Sequence, residues 1–385
     1  MFFGLRWLRF ILFFILCICS GLPSAAAEPQ VSAEAAILVE ASTGRVLYEK
    51  NADTQEYPAS MTKMMTCILA LENGRLDGSV TISPAAAATE YSELGLEAGD
   101  KIRLSELLTG MMLESDNAAA VAVAEQLASS VPAFAAQMNA KARELGARQT
   151  NFMNPNGLPD DSHYSTARDM MYIARYGMRN PLFRQIVGTK AKRIQWQLPA
   201  GKYVDAENTN ELLGSYPGMI GIKTGWTSEA GGCLAAAAQR GNVTLIAIVM
   251  DSSDADQRFA DVAALFDYGF PRVRMAAGPV KEKLGRSIWV HDGKNYKVTA
   301  HPAEDVCYAL LDNEGTKHYS LRYDVPRFIH APVKGGQKVG DLVVLYDGKE
   351  VNRIDMLADS AIGRGFSLMS MVIGFYDWIL GPFLG

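Results

Sequence analysis

Five short apolar runs, two at one end of a long segment and three at the other, constrain this chain more than any other feature. AAILVE (35–40) and RVLYEK (45–50) flank Ala41-Ser42-Thr43-Gly44 and predict a hairpin. MIGIKTG, GGCLAAAA and VTLIAIVM follow closely from residue 219 onward, with connections short enough for antiparallel pairing. Between the two groups, Ser60 to Leu71, Leu104 to Leu127, Val131 to Leu145 and Thr166 to Gly177 repeat apolar residues at helical period. Strands at both ends of one unit with helices between them predict an α+β fold, an antiparallel five-stranded sheet with a helical cluster, rather than a doubly wound one.

The texture changes near Gly278-Pro279. From 280 to 350 short β runs (Ser287 to Val290, Tyr296 to Thr299, Leu342 to Tyr346) alternate with Gly, Pro, Asp and Asn, which predicts a small all-β domain. The N-terminus carries Arg6 and Arg9, an uncharged apolar run from Phe10 to Cys19, and the small residues Ala25, Ala26 and Ala27. That order reads as a signal peptide cut after Ala27, and the apolar run is short for a membrane span. At the other end, Asp377 is the only charge from Phe366 to Gly385. Ser367, Ser370, Gly374 and Asp377 fall on one helical stripe, the pattern of an amphipathic helix lying in a membrane surface; a buried terminal core helix is the competing reading, and Gly381-Pro382 argue against a span. The expected organisation is therefore a signal peptide over 1–27, a catalytic domain over 28–277, a β-rich domain over 278–352 and a membrane-anchoring helix over 353–385.

With 37 Lys plus Arg against 42 Asp plus Glu, and no basic run, the chain has no electrostatic footprint for nucleic acid. Outside the leader the cysteines are Cys67, Cys233 and Cys307, neither a disulfide framework nor a zinc site. His163 is the only histidine before the β-rich region, and neither His-Glu-x-x-His nor Gly-x-Ser-x-Gly occurs. A zinc peptidase and a Ser-His-Asp hydrolase are thereby disfavoured, and no metal or cofactor is expected. His163 itself reads as structural.

Three clusters support one chemistry. Ser60-Met61-Thr62-Lys63 opens an apolar helix, so the lysine projects one turn beyond the serine and its amine reaches the hydroxyl. Serine needs a base, and lysine serves as one only if burial or a neighbouring cation lowers its pKa. Ser115-Asp116-Asn117 offers a hydroxyl and an amide at the junction of two helical stretches. Lys223-Thr224-Gly225 ends the strand MIGI, supplies the second cation, and has a glycine where a ligand approaches the backbone.

Ser-x-x-Lys, Ser-Asp-Asn and Lys-Thr-Gly in this order are jointly specific. On these motifs the chain resembles the penicillin-binding proteins and serine β-lactamases, most of all the low-molecular-mass D-alanyl-D-alanine carboxypeptidases. Asn154-Pro155-Asn156-Gly157-Leu158, His163 to Asp169 and Ala331 to Gly340 are similar to that family as well.

The resemblance implies the penicillin-binding/β-lactamase-like transpeptidase fold and removal of the terminal D-alanine from a peptidoglycan stem pentapeptide. It also implies inhibition by β-lactams and a place at the outer face of the bacterial cytoplasmic membrane. Ser60 would be the acylated nucleophile, Lys63 its base and Ser115 the proton carrier to the leaving group. Asn117, Lys223, Thr224 and Gly225 would bind substrate, and the backbone N–H groups of Ser60 and Trp226 would form the oxyanion hole. Several relatives carry His where Trp226 stands. Arg258 is similar to a carboxylate-binding arginine of the family; a solvated helix arginine is the competing reading. DD-endopeptidase action is an alternative. A β-lactamase is disfavoured because residues 145 to 206 contain no Glu to serve as deacylating base.

Overall fold

A computed structural model describes residues 28–128 and 130–365; the expected signal peptide (1–27) and the segment 366–385 lie outside the described residues. A five-stranded sheet organises the first part of the chain, in the spatial order Val46–Lys50, Ala35–Glu40, Val243–Ser252, Gly231–Arg240, Met219–Thr227. All four pairings are antiparallel, as the short connections require for the three between successive strands; the fourth joins Ala35–Glu40 to Val243–Ser252 across the helical segment.

Why the runs AAILVE, GGCLAAAA and VTLIAIVM lack the polar alternation of a half-exposed strand is plain from their surroundings. Ala35, Ile37, Val39, Ala235, Ala237, Ile246 and Ile248 face one core, while Ala36, Leu38, Leu234, Ala236, Leu245 and Ala247 face another. The sheet is thus buried on both faces, and successive residues enter different cores at the strand period of two. The first core is built with helices Lys63–Asn73, Leu104–Leu113 and Asn117–Leu127. Seven of the last one's eleven residues are alanine or valine, with Ala118, Ala119, Ala120, Ala122, Val123 and Ala124 buried; a stretch apolar all round belongs inside a core. The second core is closed by helix Gln257–Gly269 through Val262, Leu265 and Phe266.

Two departures from the sequence-based expectation have simple causes. The middle of the chain also holds a four-stranded sheet, Ser79–Thr81, Lys101–Arg103, Ala191–Leu198 and Tyr203–Glu207. Two of its strands have three residues and one buried position each, too short to show a period. Residues 353–358, expected to begin an amphipathic helix, instead complete the strand Lys349–Ala358, whose even positions Asn352, Ile354, Met356 and Ala358 are buried.

That strand belongs to a six-stranded sheet in the order Tyr319–Asp324, Lys338–Tyr346, Lys349–Ala358, Lys297–Pro302, Arg286–His291, Phe328–His330. Strand Val273–Ala277, just before Gly278, pairs with Cys307–Leu311. Polar clasps tie the β-rich part to the hairpin at residues 41–44: Arg45 donates to Glu314 at 2.6 Å and lies over the Tyr346 ring, and Arg175 donates to Ala41 O, Ser42 O and Asn352 Oδ1.

Candidate active site

Ser60 stands in a 3-10 turn, Ala59–Thr62, that runs into helix Lys63–Asn73. The turn is held in an unusual shape. Ala59 has φ +45°, a left-handed conformation that costs an L-residue about 1 kcal/mol, and Gly157 (φ +88°) packs so closely that a Cβ there would run into the Ala59 carbonyl. Gly225 presses from the other side, where a Cβ would sit 3.1 Å from Ser60 N. Two glycines therefore fix the serine's backbone, and one of them is the glycine of Lys-Thr-Gly.

Lys63 is fully buried, with Nζ 2.8 Å from Ser60 Oγ, 2.7 Å from Asn117 Oδ1 and 2.8 Å from the Asn156 carbonyl. The amide and carbonyl oxygens can only accept. A neutral amine has two N–H bonds for them and one lone pair left for the Ser60 hydroxyl proton. Burial holds the Lys63 pKa well below its ordinary value, the charge of Lys223 lowers it further, and Asp116 opposes the shift. Asp116 is spent elsewhere: it caps helix Asn117–Leu127 through Ala119 N–H and accepts from Leu94 N–H.

Ser115 has φ +63°, so the helix junction turns sharply before Asp116. Asn117 is oriented at both ends of its amide, by Lys63 and by Nδ2 donating to the Glu90 carbonyl. Lys223 is 1% exposed, and its ammonium turns to the Thr224 carbonyl at 3.0 Å and the Thr224 hydroxyl at 3.4 Å. Burial and the nearby Arg258 charge lower its pKa to about 7. Thr224 Oγ1 lies 2.6 Å from Thr209 Oγ1.

These groups meet at a cavity of about 620 Å³ lined by Ser60, Ser115, Asn117, Thr224, Gly225, Trp226 and Arg258. Both lysines lie buried behind its wall, so Thr224, not Lys223, presents the polar atom of that motif to the cavity. Trp226 is 56% exposed, on the strand that forms the sheet edge. Arg258 is half-buried, not a solvated helix arginine, and donates to the Gly225 carbonyl at 2.7 Å.

Sequence reasoning missed the Asn156 and Glu90 carbonyls and the Thr209 hydroxyl. It also missed four carboxylates of the cavity wall, Glu90, Glu93, Glu114 and Glu229, which come from outside the Glu-free stretch. His163 is structural, as expected. Its Nδ1 accepts from Met153 N–H, so Nε2 carries the proton and donates to Thr62 Oγ1 at 2.9 Å, bracing the nucleophile turn. Burial lowers its pKa to about 4. Among the described residues no cluster of His, Cys, Asp and Glu could hold a metal ion.

Known proteins resemble this chain in sequence and fold. The family model for D-alanyl-D-alanine carboxypeptidase matches residues 23–254, and that for the C-terminal domain of penicillin-binding protein 5 matches residues 280–364. The chain is 34% identical to the D-alanyl-D-alanine carboxypeptidase DacF of Bacillus subtilis over 335 residues, 86% of this chain and 84% of that one. Penicillin binding protein 5 from Haemophilus influenzae superposes with a TM-score of 0.66 at 28% identity, over 88% of this chain and 100% of the other. The Streptomyces K15 DD-transpeptidase superposes with a TM-score of 0.61 at 37% identity, over 64% and 100%. A family model matched over residues 23–254, and a relative 34% identical over most of both sequences, place the chain in the D-alanyl-D-alanine carboxypeptidase family of serine peptidases.

Proposed function

We propose that the chain removes the terminal D-alanine from peptidoglycan stem pentapeptides through an acyl-enzyme on Ser60. The observation that carries this reading is the three-way environment of Lys63 Nζ, which leaves a lone pair for one proton, that of Ser60. As Ser60 Oγ attacks the penultimate D-alanine carbonyl, its proton passes to Lys63 Nζ. The oxyanion faces the backbone N–H groups of Ser60 and Trp226, where one donor is typically worth ~3 kcal/mol. Ser115 carries the proton to the departing amine, and Asn117 holds the peptide amide. The Thr224 hydroxyl receives the substrate carboxylate, with Lys223 behind it and Arg258 beside it supplying positive field. Water then repeats the attack with Lys63 again as base, regenerating Ser60 and releasing the shortened peptide.

Penicillin, whose leaving amine stays tethered to the acyl group, is an inhibitor in this reading. Its acyl-enzyme outlives the peptidyl one, and the reverse order would favour a β-lactamase. The protein is exported by its leader and held at the outer face of the bacterial cytoplasmic membrane by residues 366–385; among the described residues no single helix is long and apolar enough to cross a membrane. Mass spectrometry of products from a defined pentapeptide and a cross-linked muropeptide tests the activity. Loss of one D-alanine from the pentapeptide is expected, whereas cleavage of the cross-link alone would make the enzyme a DD-endopeptidase.

A further inference from the structure

The six-stranded sheet has two unlike ends. Around strands Tyr319–Asp324, Lys338–Tyr346 and Lys349–Ala358 charges meet in a network: Arg353 pairs with Glu350, Asp324 and Asp341, and Lys338 with Asp341 and Asp355. Around strands Arg286–His291 and Phe328–His330 the sheet's outer face carries rings instead. Ile288, Val290 and Val298 point into the core, so the alternate residues face outward. Trp289 stacks on Tyr296 with centroids 5.8 Å apart, and its neighbour in the parallel register is Phe328. His291 stacks on His330 at 5.2 Å, and Tyr296 is 39% exposed.

Cations outnumber carboxylates around these rings, where Asp292, 3.4 Å from His330 Nδ1, is the carboxylate in contact. Lys297 lies across from Trp289, Arg327 sits over the Phe328 ring, and Lys294 and Arg364 hold the turn beside them. None of the four forms an ion pair among the described residues. The described chain also leaves from this corner: Gly365 N–H donates to the Asp292 carbonyl, and the next twenty residues carry a single charge, Asp377.

We propose that this corner of the sheet is a second membrane contact, which seats the β-rich part on anionic phospholipid and so sets the orientation of the cleft above it. Tryptophan and tyrosine suit the headgroup level, where a ring's apolar body and polar edge are both satisfied. Lysine and arginine beside them are drawn to anionic lipid. The point where the apolar terminal segment departs favours lipid over a glycan strand as the occupant. The inference goes beyond the proposed catalysis, and it rests on the membrane placement in that reading.

Hydrogen exchange on the full mature chain tests it, free in solution, with phosphatidylglycerol–phosphatidylcholine vesicles, and with peptide-free glycan strands. Exchange across residues 291–297 and 326–331 should slow by about tenfold or more on the mixed vesicles and stay unchanged across 319–324. Trp289→Ser with Tyr296→Ser should abolish that slowing while leaving penicillin acylation, and hence the fold and the catalytic reading, intact. Vesicle-bound protein that exchanges as fast as free protein at these residues overturns the contact. So does slowing by glycan strands alone, or slow exchange already present without lipid, which would mean that residues 366–385 cover the rings themselves.

Discussion

The catalytic cleft and the far end of the six-stranded sheet treat charge in opposite ways. At the sheet, Arg353 and Lys338 are partly exposed and each is met by carboxylates. Beside the cleft, Lys63 and Lys223 are buried, and the polar atoms next to them are an amide oxygen, carbonyls and hydroxyls. A surface ion pair adds little to stability, whereas burying an amine without a carboxylate is costly unless it gives up its proton. The contrast teaches which cations are there for chemistry: those the fold buries and leaves without a carboxylate partner.

The largest effect should follow from breaking the cleft's side of that contrast. Lys63→Arg keeps a cation but removes the lone pair, so acylation by penicillin should fall by ~100- to 10,000-fold in stopped-flow measurements. Near-normal acylation would assign the base to another group.

The buried neutral imidazole of His163 comes next. Its pKa is about 4 in the fold, against an ordinary 6.5, so its contribution is present above pH 6.5 and is lost as pH falls toward 4; the full loss is roughly 3 kcal/mol. Urea unfolding from pH 7 to pH 4 should show wild type losing more stability than His163→Asn over that window. Parallel curves would remove His163 from the account of the nucleophile turn.

Removing the second cation sharpens the electrostatic reading. Lys223 titrates near 7, so its positive field fades as pH rises through that value and acylation should decline on the alkaline side. Lys223→Gln should lower acylation about tenfold, near the worth of a charge-assisted hydrogen bond, and flatten that decline. It should also shift the acidic limb upward, because Lys63 loses a repelling neighbour. An unchanged pH profile would show that the two lysines are not coupled.

On the sheet the same operation should do little. Arg353→Ala is expected to cost about 1 kcal/mol of stability at low salt, less at high salt, with acylation unaffected. A large loss of acylation would mean that the β-rich part supports the cleft directly.

The same contrast explains what could be read in advance. Ser60, Lys63, Ser115, Asn117, Lys223 and Thr224 were legible because the chemistry needs those side-chain types in that order, and the structure brings them to one place. Asn156 and Glu90 act through backbone carbonyls, which every residue has, so no sequence pattern marks them. The five-stranded sheet was legible because its three central runs are almost wholly apolar and buried on both faces. Strands such as Ser79–Thr81 and Lys101–Arg103 have one inward residue each and leave no period to find. Residues 353–358 were misassigned because the apolar segment after 365 dominates that end of the sequence, while the strand's own alternation is modest.

The central claim is that one serine, activated by one neutral lysine, carries the acyl group. Incubating wild type and Ser60→Ala with labelled penicillin and mapping the adduct by peptide mass spectrometry tests it most directly. The account predicts a single adduct on the peptide containing Ser60 and none in the variant; an adduct on Ser115 or any other residue, or labelling that survives in Ser60→Ala, would contradict it.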